Sequence, residues 1–194
     1  HMPTPKQSGL FAGLLALFSS AVFSETVIVN LEEPSTDGFY TGISNLRGWA
    51  VAESGIASIE IDVDGTYAFD VPMGGMRGDV AKVYPDFPDS DTSGFSMAYN
   101  YKGLSPGEYV FTARAISKDG GVASDSATVK VDRFLSSYIG DSSEVDTSTV
   151  SEVSFGDASF TLKGLTVEGH QWDVVMDFDT ATQSFEIADI AEVG

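Results

Sequence analysis

Alternating apolar and polar residues predict β-strands along most of the chain. The clearest case is residues 56–65, IASIEIDVDG, where Ile59, Ile61 and Val63 alternate with acidic residues. A period of two with one charged side is typical of an antiparallel strand that buries one face and exposes the other to water. No later segment sustains a helical period, although DVAKVY at 79–84 could form a single turn.

Turn signals divide the first two thirds of the chain into short strands. KDGG at 118–121 indicates a hairpin turn, and Pro106-Gly107 precedes a long alternating segment. Tyr109 lies near the start of that segment. The tyrosine of the tyrosine corner occupies the same position, near the start of a late strand, in immunoglobulin-like sandwiches. About seven short strands in about 105 residues predict an all-β fold, with an immunoglobulin-like β-sandwich at residues 25–133.

Three further strands at residues 151–194 predict a small C-terminal β-meander. A linker rich in Ser, Thr and acidic residues, 134–150, separates them from the sandwich. In HQWDVVMDF, Trp172 shares one face with three other apolar residues. A meander of about 45 residues rarely buries enough apolar surface to fold alone, so we expect it to dock on the sandwich or on another chain.

The first 24 residues have the pattern of an expression scar followed by a secretory signal peptide. His1-Met2 is the scar, Lys6 is the only charge, and LFAGLLALFSSAVF at 10–23 is an apolar run that ends close to small residues. This predicts an exported protein that is periplasmic, on the cell surface or extracellular. The alternative is a buried or amphipathic N-terminal helix, and an uncleaved leader would be the route to a membrane.

Charge and composition exclude several classes of partner and chemistry. The net charge of −19 repels phosphate backbones and anionic lipids, so nucleic acid is excluded as a partner. The chain has no cysteine, which removes disulfides, thiolate catalysis and cysteine-bound zinc. Residues 134–194 carry twelve acidic side chains against a single basic one, Lys163.

Motifs typical of enzymes are missing from the sequence. No serine lies in a nucleophile-elbow motif, and no glycine-rich loop has the spacing that binds phosphate. Beyond the scar the only histidine is His170, at a predicted turn. We therefore expect a protein that is not an enzyme.

Four stretches between residues 34 and 131 resemble a bacterial immunoglobulin-like domain family of secreted and surface proteins. They are GISNLRGWAV, GIASIEIDVDG, VPMGGMRGDVAKVYPDFPDSDTSGFSM and LSPGEYVFTARAISKDGG, in that order. The resemblance implies an immunoglobulin-like fold and a location outside the cytoplasm, with no catalytic residues. The positions that match the family are Gly48, Trp49, Asp64, Gly65, Arg77, Asp79, Val80, Tyr84, Pro85, Pro88, Ser90, Gly94 and Phe95.

The connection at residues 77–95 holds the most distinctive candidate residues. Usual members of the family carry proline at position 78, where this chain has Gly78. The Arg-Gly-Asp triplet is therefore explained by a single substitution in the family pattern and need not be an adhesion signal. We expect Arg77 and Asp79 to pair and brace the connection, because a guanidinium binds a carboxylate through two hydrogen bonds. Cell adhesion through the triplet is the alternative.

Aromatic residues of the chain allow either packing or ligand binding. Tyr84 and Phe87 pin the connection to the sandwich or, alternatively, stack on a sugar ring. Trp49 is expected in the core. Trp172 either docks its face on the sandwich or binds a carbohydrate.

Three acidic residues of the same connection define the candidate metal site. Asp86, Asp89 and Asp91 lie within six residues, and hard cations such as calcium prefer several oxygen ligands from a turning backbone. A solvated acidic loop without metal is the alternative, and calcium is the one cofactor left open.

Taken together, these features predict a non-enzymatic interaction or adhesion module that binds a protein partner. The alternative is a carbohydrate-binding accessory protein, with or without calcium. Its oligomeric state is left open.

Overall fold

The computed structural model describes residues 24–194, which form an all-β structure with one short helix. The predicted leader lies outside the described residues. The first nine strands are β1 (Val27–Glu33), β2 (Phe39–Tyr40), β3 (Ile43–Ala52), β4 (Ile56–Val63), β5 (Thr66–Asp70), β6 (Met73–Gly75), β7 (Gly94–Asn100), β8 (Gly107–Ser117) and β9 (Val122–Val131). Helix α1 (Gly78–Val83) lies between β6 and β7.

These nine strands form two sheets that face each other. One sheet has the order β1-β3-β7-β6 and the other β2-β9-β8-β4-β5. All neighbouring strands are antiparallel except β2 and β9, which run parallel. Two antiparallel sheets with long connections between them are the architecture of an immunoglobulin-like sandwich, so the predicted fold is confirmed.

Alternation along the strands accounts for the core between the two sheets. In β8, Phe111, Ala113 and Ala115 are fully buried while the residues between them are partly exposed. Ile59 and Ile61 of β4 face them from the neighbouring strand. The period-two pattern therefore places its apolar residues in one continuous core.

An aromatic cluster closes one end of the sandwich. Tyr101 is completely buried, stacks on Tyr40 at 4.5 Å between ring centroids and meets Phe111 at 5.6 Å. Its hydroxyl donates a hydrogen bond to the carbonyl oxygen of Asn45 at 3.1 Å. Burial raises the pKa of the Tyr101 hydroxyl far above its usual range, so this group stays neutral and acts as a structural donor.

Trp49 does not lie in the core between the sheets, contrary to the prediction. It alternates in β3 with Gly48 and Ala50, which are buried toward the other sheet, and its own ring is half-buried on the outer face. Gly48 is required there, because a Cβ atom would lie 2.1 Å from the Asn30 carbonyl oxygen. The outward ring of Trp49 is covered by Tyr84, at 5.5 Å between ring centroids.

The C-terminal region forms a third sheet of five strands, two more than the sequence predicts. They are β10 (Val145–Asp146), β11 (Glu152–Phe155), β12 (Ser159–Val167), β13 (His170–Asp179) and β14 (Ser184–Glu192). The order is β10-β12-β13-β14, and β11 pairs with the same side of β12 as β10 does. The predicted linker therefore supplies β10 to this sheet.

A bulge in β12 keeps its apolar residues on one face. Leu162 pairs with Val174 and Leu165 pairs with Trp172, although the two leucines are three residues apart. The extra residue is accommodated at Gly164, whose φ of +76° favours glycine. The C-terminal sheet consequently has one face that is apolar along its whole length.

Candidate interaction surfaces

Arg77 is the centre of an ion-pair network that ties the 77–95 connection to the sandwich. Its guanidinium donates to both carboxylate oxygens of Asp79, at 2.9 and 2.7 Å. It also donates to both oxygens of Glu32 in β1, at 3.2 and 2.8 Å. This is the bracing that the sequence predicts for Arg77 and Asp79, with Glu32 as a partner that the sequence did not reveal.

The same network shifts the ionisation of its members. Hydrogen bonds from the Arg77 guanidinium hold the pKa of the Asp79 carboxyl well below its usual range. Hydrogen bonding to Asp79 likewise raises the pKa of Arg77. Both groups are therefore charged at neutral pH and paired with each other, with the Asp79 side chain 66% exposed.

Tyr84 and Phe87 are engaged with each other and with the sandwich. The Tyr84 ring contacts Trp49 and meets Phe87 edge-on at 5.7 Å between centroids. Val80 of α1 is buried beside them. A ring that is half-buried between two other rings offers no free face for a sugar, so these residues pin the connection.

The three aspartates of the connection do not converge on a cation site. Asp86, Asp89 and Asp91 are each exposed, and within residues 24–194 no group of three or more His, Asp or Glu side chains could hold a metal ion. Asp89 points toward Lys118 at 4.0 Å, and the Asp91 carbonyl accepts from the Arg77 amide at 2.7 Å. The sequence spacing brought the carboxylates close along the chain but not in space.

A cavity of about 270 Å³ lies beneath this connection. It is smaller than the pockets of about 300–1,000 Å³ that usually hold small molecules. Apolar side chains of the sandwich form its floor and the loop forms its polar mouth, with Ala50, Ile56, Ile59, Met73, Pro88 and Thr92 among the lining residues.

Tyr109 forms a local clamp at the start of β8. Its hydroxyl donates to the carbonyl oxygen of Ser105 at 2.8 Å, four residues upstream. This is the hydrogen bond of a tyrosine corner, and it fixes the turn before the strand. Tyr109 therefore has a structural role.

One end of the apolar face of the C-terminal sheet is covered. Trp172 is only 6% exposed, meets Phe134 edge-on at 5.2 Å and donates its indole N–H to the Val167 carbonyl at 3.3 Å. Phe39 of the sandwich packs against the same cluster. Trp172 therefore packs toward the sandwich, which is the first of the two alternatives predicted for it, and its burial rules out the alternative of stacking on a carbohydrate.

The opposite end of the same face is open. The exposed fractions are 81% for Phe155, 49% for Phe185 and 38% for Phe178. Phe160 lies among them, 5.2 Å from Phe185 between ring centroids, and Phe178 lies 5.3 Å from Phe185. We call Val153, Phe155, Phe160, Phe178 and Phe185 the aromatic patch.

Strand register explains why these residues share one surface. Phe155 pairs with Phe160, and Phe178 pairs with Phe185, so each pair flanks a hairpin turn at the same end of the sheet. Directly paired residues of antiparallel strands place their side chains on the same face. In the sequence, phenylalanine flanks both turns, and this pattern could have indicated the patch. It was missed because strand β11 was not predicted.

Acidic residues alternate with the residues of the aromatic patch, which places most of them on the opposite face of the sheet or in its turns. Glu152 precedes Val153, Asp157 follows Phe155 in the turn, and Asp177 and Asp179 flank Phe178. Asp177 and Glu186 pair directly across β13 and β14, which places like charges opposite each other. Lys163, the only basic residue of this sheet, is 3.8 Å from Glu152.

The sandwich and the C-terminal sheet meet through few contacts. Phe39 of β2 reaches the covered cluster, and Lys130 of β9 forms an ion pair with Asp189 at 3.0 Å. The segment that joins the two regions adds a hydrogen bond, from the Ser136 amide to Glu168 at 3.0 Å. The junction also borders part of the aromatic patch, because Phe39 and Phe178 line a shared cavity of about 370 Å³. Phe155 lies on β11, two strands away from Phe178 and at the opposite edge of the sheet from β14.

Comparisons with known proteins were made for sequence families, curated sequences and solved structures. No family model and no curated protein matches the chain. The fibronectin(III)-like modules of Clostridium thermocellum CbhA are 17% identical over 55% of this chain and 98% of their own, with a TM-score of 0.35. The Ig1-2 module of the Drosophila receptor protein tyrosine phosphatase DLAR is 10% identical over 88% and 97%, with a TM-score of 0.38.

A third similar structure comes from a glucan utilization locus. Bacteroides ovatus SGBP-B, in complex with a mixed-linkage heptasaccharide, is 10% identical over 87% of this chain and 47% of its own, with a TM-score of 0.34. Likeness at this level concerns the fold alone. The immunoglobulin-like assignment rests on the strand order described above, and the narrower bacterial family that the motifs resemble stays a prediction.

Within residues 24–194, no helix has the length and apolar character needed to cross a bilayer.

Proposed function

We propose that this protein is a non-enzymatic interaction module that acts outside the cytoplasm and binds a protein partner through the aromatic patch. The observation that carries the proposal is the uneven covering of one sheet face, from Trp172 at 6% exposed to Phe155 at 81%. Clustered exposed apolar residues on a folded domain typically mark an interaction site. The predicted signal peptide supports a location outside the cytoplasm.

Burial of the aromatic patch would contribute part of the free energy of binding. Burying one phenylalanine side chain contributes about 1.5–3 kcal/mol, so covering Phe155 and Phe185 would contribute several kcal/mol. Association costs about 4–15 kcal/mol in lost freedom, so the patch needs additional contacts around it. An apolar centre with polar residues around it is the composition of a typical binding hot spot.

A photo-crosslinking experiment tests the proposal. A benzoylphenylalanine replaces Phe155 in one protein and Tyr67, an exposed aromatic residue of β5, in a matched control. Incubated with envelope material of the producing cells, the Phe155 probe is expected to give a discrete adduct that the Tyr67 probe does not give. A Phe185→Ser change in the Phe155 probe protein should remove that adduct.

Three results would contradict the proposal. The first is equal labelling from positions 155 and 67, and the second is an adduct that persists after Phe185→Ser in a protein with unchanged circular dichroism. Either of these would mean that the probe reports general exposure. A protein that gives no adduct at position 155 in any envelope fraction also counts against it.

A carbohydrate is the second candidate ligand, because the Phe155 ring is largely exposed and aromatic rings stack on sugars. The neighbouring rings do not form a flat platform, since Phe178 and Phe185 are inclined by 75° and Phe160 and Phe185 by 59°. A glycan array with the wild type and Phe155→Ala separates the two candidates. Sugar signals that disappear in Phe155→Ala would favour the carbohydrate, and blank arrays for both would remove it.

A further inference from the structure

We propose that the partner of the aromatic patch is a basic, extended segment that adds to the free edge of β11 as an additional strand. This inference rests on the proposed function and specifies the chemistry of its partner. It joins three observations, which are an open strand edge, an apolar face that continues up to that edge, and a border that carries negative charge.

The free edge is defined by the hydrogen-bond pattern of β11. The Gly156 amide donates to the Ser159 carbonyl at 2.9 Å. Every second residue before Gly156 has the same orientation, so the backbone N–H and C=O groups of residues 152 and 154 also point toward β12. In an antiparallel ladder the alternate residues direct their N–H and C=O groups outward. The backbone groups of Val153 and Phe155 therefore face away from the sheet, and all four residues of β11 are exposed.

The side chains of the same two residues lie on the aromatic patch. A strand added to β11 would place every second side chain on the face of Val153 and Phe155, because directly paired residues share a face. Those side chains would extend the apolar surface that Phe160 and Phe185 continue on the other side. Edge pairing and burial of the patch would then occur in a single binding event, as in other complexes formed by strand addition.

Charge determines which extended segment fits. Glu152 and Ser154 alternate with the patch residues, so an added strand would place its remaining side chains next to Glu152. Asp177 and Glu186 lie on the same face of the sheet, two and three strands further from that edge, and add to its negative charge. Lys163 is the only basic side chain of the sheet. A segment that alternates basic and apolar residues satisfies both faces, because opposite charges attract across neighbouring strands.

A second copy of this chain is a less suitable occupant. Pairing two β11 strands would bring the aromatic patches together, but it would also bring together two regions with twelve acidic residues each. Like charges placed together across an interface oppose association. Self-association is therefore one of the outcomes that the experiment distinguishes.

Synthetic peptides test the proposal on the complete chain. The probe is a capped seven-residue peptide in which lysine alternates with valine and phenylalanine. Three matched peptides replace lysine by glutamate, replace lysine by threonine, or keep the composition in a non-alternating order. Binding is measured by fluorescence anisotropy, and amide exchange at Val153 and Phe155 reports the bound edge.

The lysine peptide is expected to bind at least about tenfold more tightly than each of the other three, a difference that reflects charge and alternation. Raising the salt from about 50 mM to about 500 mM should weaken its binding, because the Debye length falls below the distance between neighbouring strands. The Val153 and Phe155 amides should exchange more slowly in the complex.

Two variants and a control locate the site. Val153→Pro removes an outward N–H without disturbing the hydrogen bonds to β12, and proline is tolerated on edge strands. We expect it, and Phe155→Ser combined with Phe185→Ser, to weaken peptide binding about tenfold or more. Tyr67→Ser, on the edge strand β5, should bind like the wild type.

Each remaining outcome overturns a defined part of the proposal. Equal affinity for the lysine, threonine and glutamate peptides overturns the basic partner and leaves the proposed function standing. Unchanged binding in Val153→Pro overturns strand addition, and self-association that this change removes identifies a second copy as the occupant. Failure of every peptide overturns the inference, whereas the crosslinking experiment decides the proposed function independently.

Discussion

The sandwich and the C-terminal sheet are built from the same alternating pattern, but their apolar faces are covered to very different extents. In the sandwich, two sheets cover each other, and Phe111, Ala113 and Ala115 are fully buried. In the C-terminal sheet, the preceding segment and Phe39 bury the end that contains Trp172, whereas Phe155 at the opposite edge is 81% exposed. Alternation of apolar and polar residues therefore predicts which face of a sheet is apolar. It does not predict which other part of the chain packs on that face.

The largest stability effect should come from the closed core. Phe111→Ala is expected to cost about 3–5 kcal/mol, because a fully buried ring is lost and its neighbours cannot close the cavity. Urea unfolding monitored by circular dichroism measures the change. Val110→Ala, at a partly exposed position next to it in β8, is the matched control. A loss for Phe111→Ala no larger than that of the control would mean that the two sheets do not share this core.

The covered end of the C-terminal sheet should show the next largest effect. Trp172→Ala is expected to cost about 3 kcal/mol, since the indole lies under Phe134 and donates to a backbone carbonyl. Hydrogen exchange should show the loss of protection in β12, β13 and β14, with β8 still protected. Trp172→Phe, which keeps most of the contact area, should cost clearly less. Equal exchange in all strands would indicate that the two regions unfold as one unit.

The ion-pair network of the sandwich should have a moderate effect. Arg77→Met is expected to cost about 1–2 kcal/mol, because Glu32 and Asp79 lose a charged donor that is largely buried. The exposed Lys82→Met, in the same connection, is the control for the loss of one positive charge. Thermal unfolding at low salt compares them. A Lys82→Met protein as unstable as Arg77→Met would contradict the bracing role.

The same network predicts a pH dependence. The pKa of Asp79 is lower in the folded protein, so its contribution is present above the unfolded value of about 3.9 and is lost as the pH falls toward the folded value. The stability difference between wild type and Asp79→Asn should therefore shrink between about pH 4 and pH 2. Urea midpoints at several pH values measure it, with Asp86→Asn as an exposed control. A difference that stays constant over this range would exclude the shift.

The smallest stability effect should come from the open end of the C-terminal sheet. Phe155→Ser is expected to change the free energy of unfolding by no more than about 0.5 kcal/mol, because the ring is already in water. The same change should reduce the binding of a hydrophobic fluorescent dye, which Tyr67→Ser should leave nearly unaltered. A large destabilisation would show that Phe155 is covered.

Most strands and turns of the sandwich could be predicted from local patterns in the sequence. The alternation in β4 and β8, the turn at Pro106-Gly107 and the pairing of Arg77 with Asp79 each depend on residues that are close in sequence or chemically specific. The outward position of Trp49 did not follow from such rules, because it depends on the close approach of Gly48 to β1 and on the ring of Tyr84.

The candidate site was harder to predict for a related reason. Trp172 and Phe178 lie on the same face of one strand, and their sequence context is similarly apolar. Trp172 is buried because residues 134–150 and Phe39 of the sandwich pack over it, whereas Phe178 is 38% exposed. A segment rich in serine and acidic residues gives little indication that it covers part of a sheet, so the sequence left docking and ligand binding open for Trp172 and did not identify Phe155.

One face of the C-terminal sheet is closed at Trp172 and open at Phe155, and hydroxyl-radical footprinting can measure the exposure of both residues in one experiment. Labelling of each residue is measured by mass spectrometry and normalised to the urea-unfolded protein, which removes the difference in intrinsic reactivity between the two rings. We predict nearly full labelling of Phe155 and strong protection of Trp172. Equal protection of the two residues, or labelling of Trp172 above that of Phe155, would contradict the account.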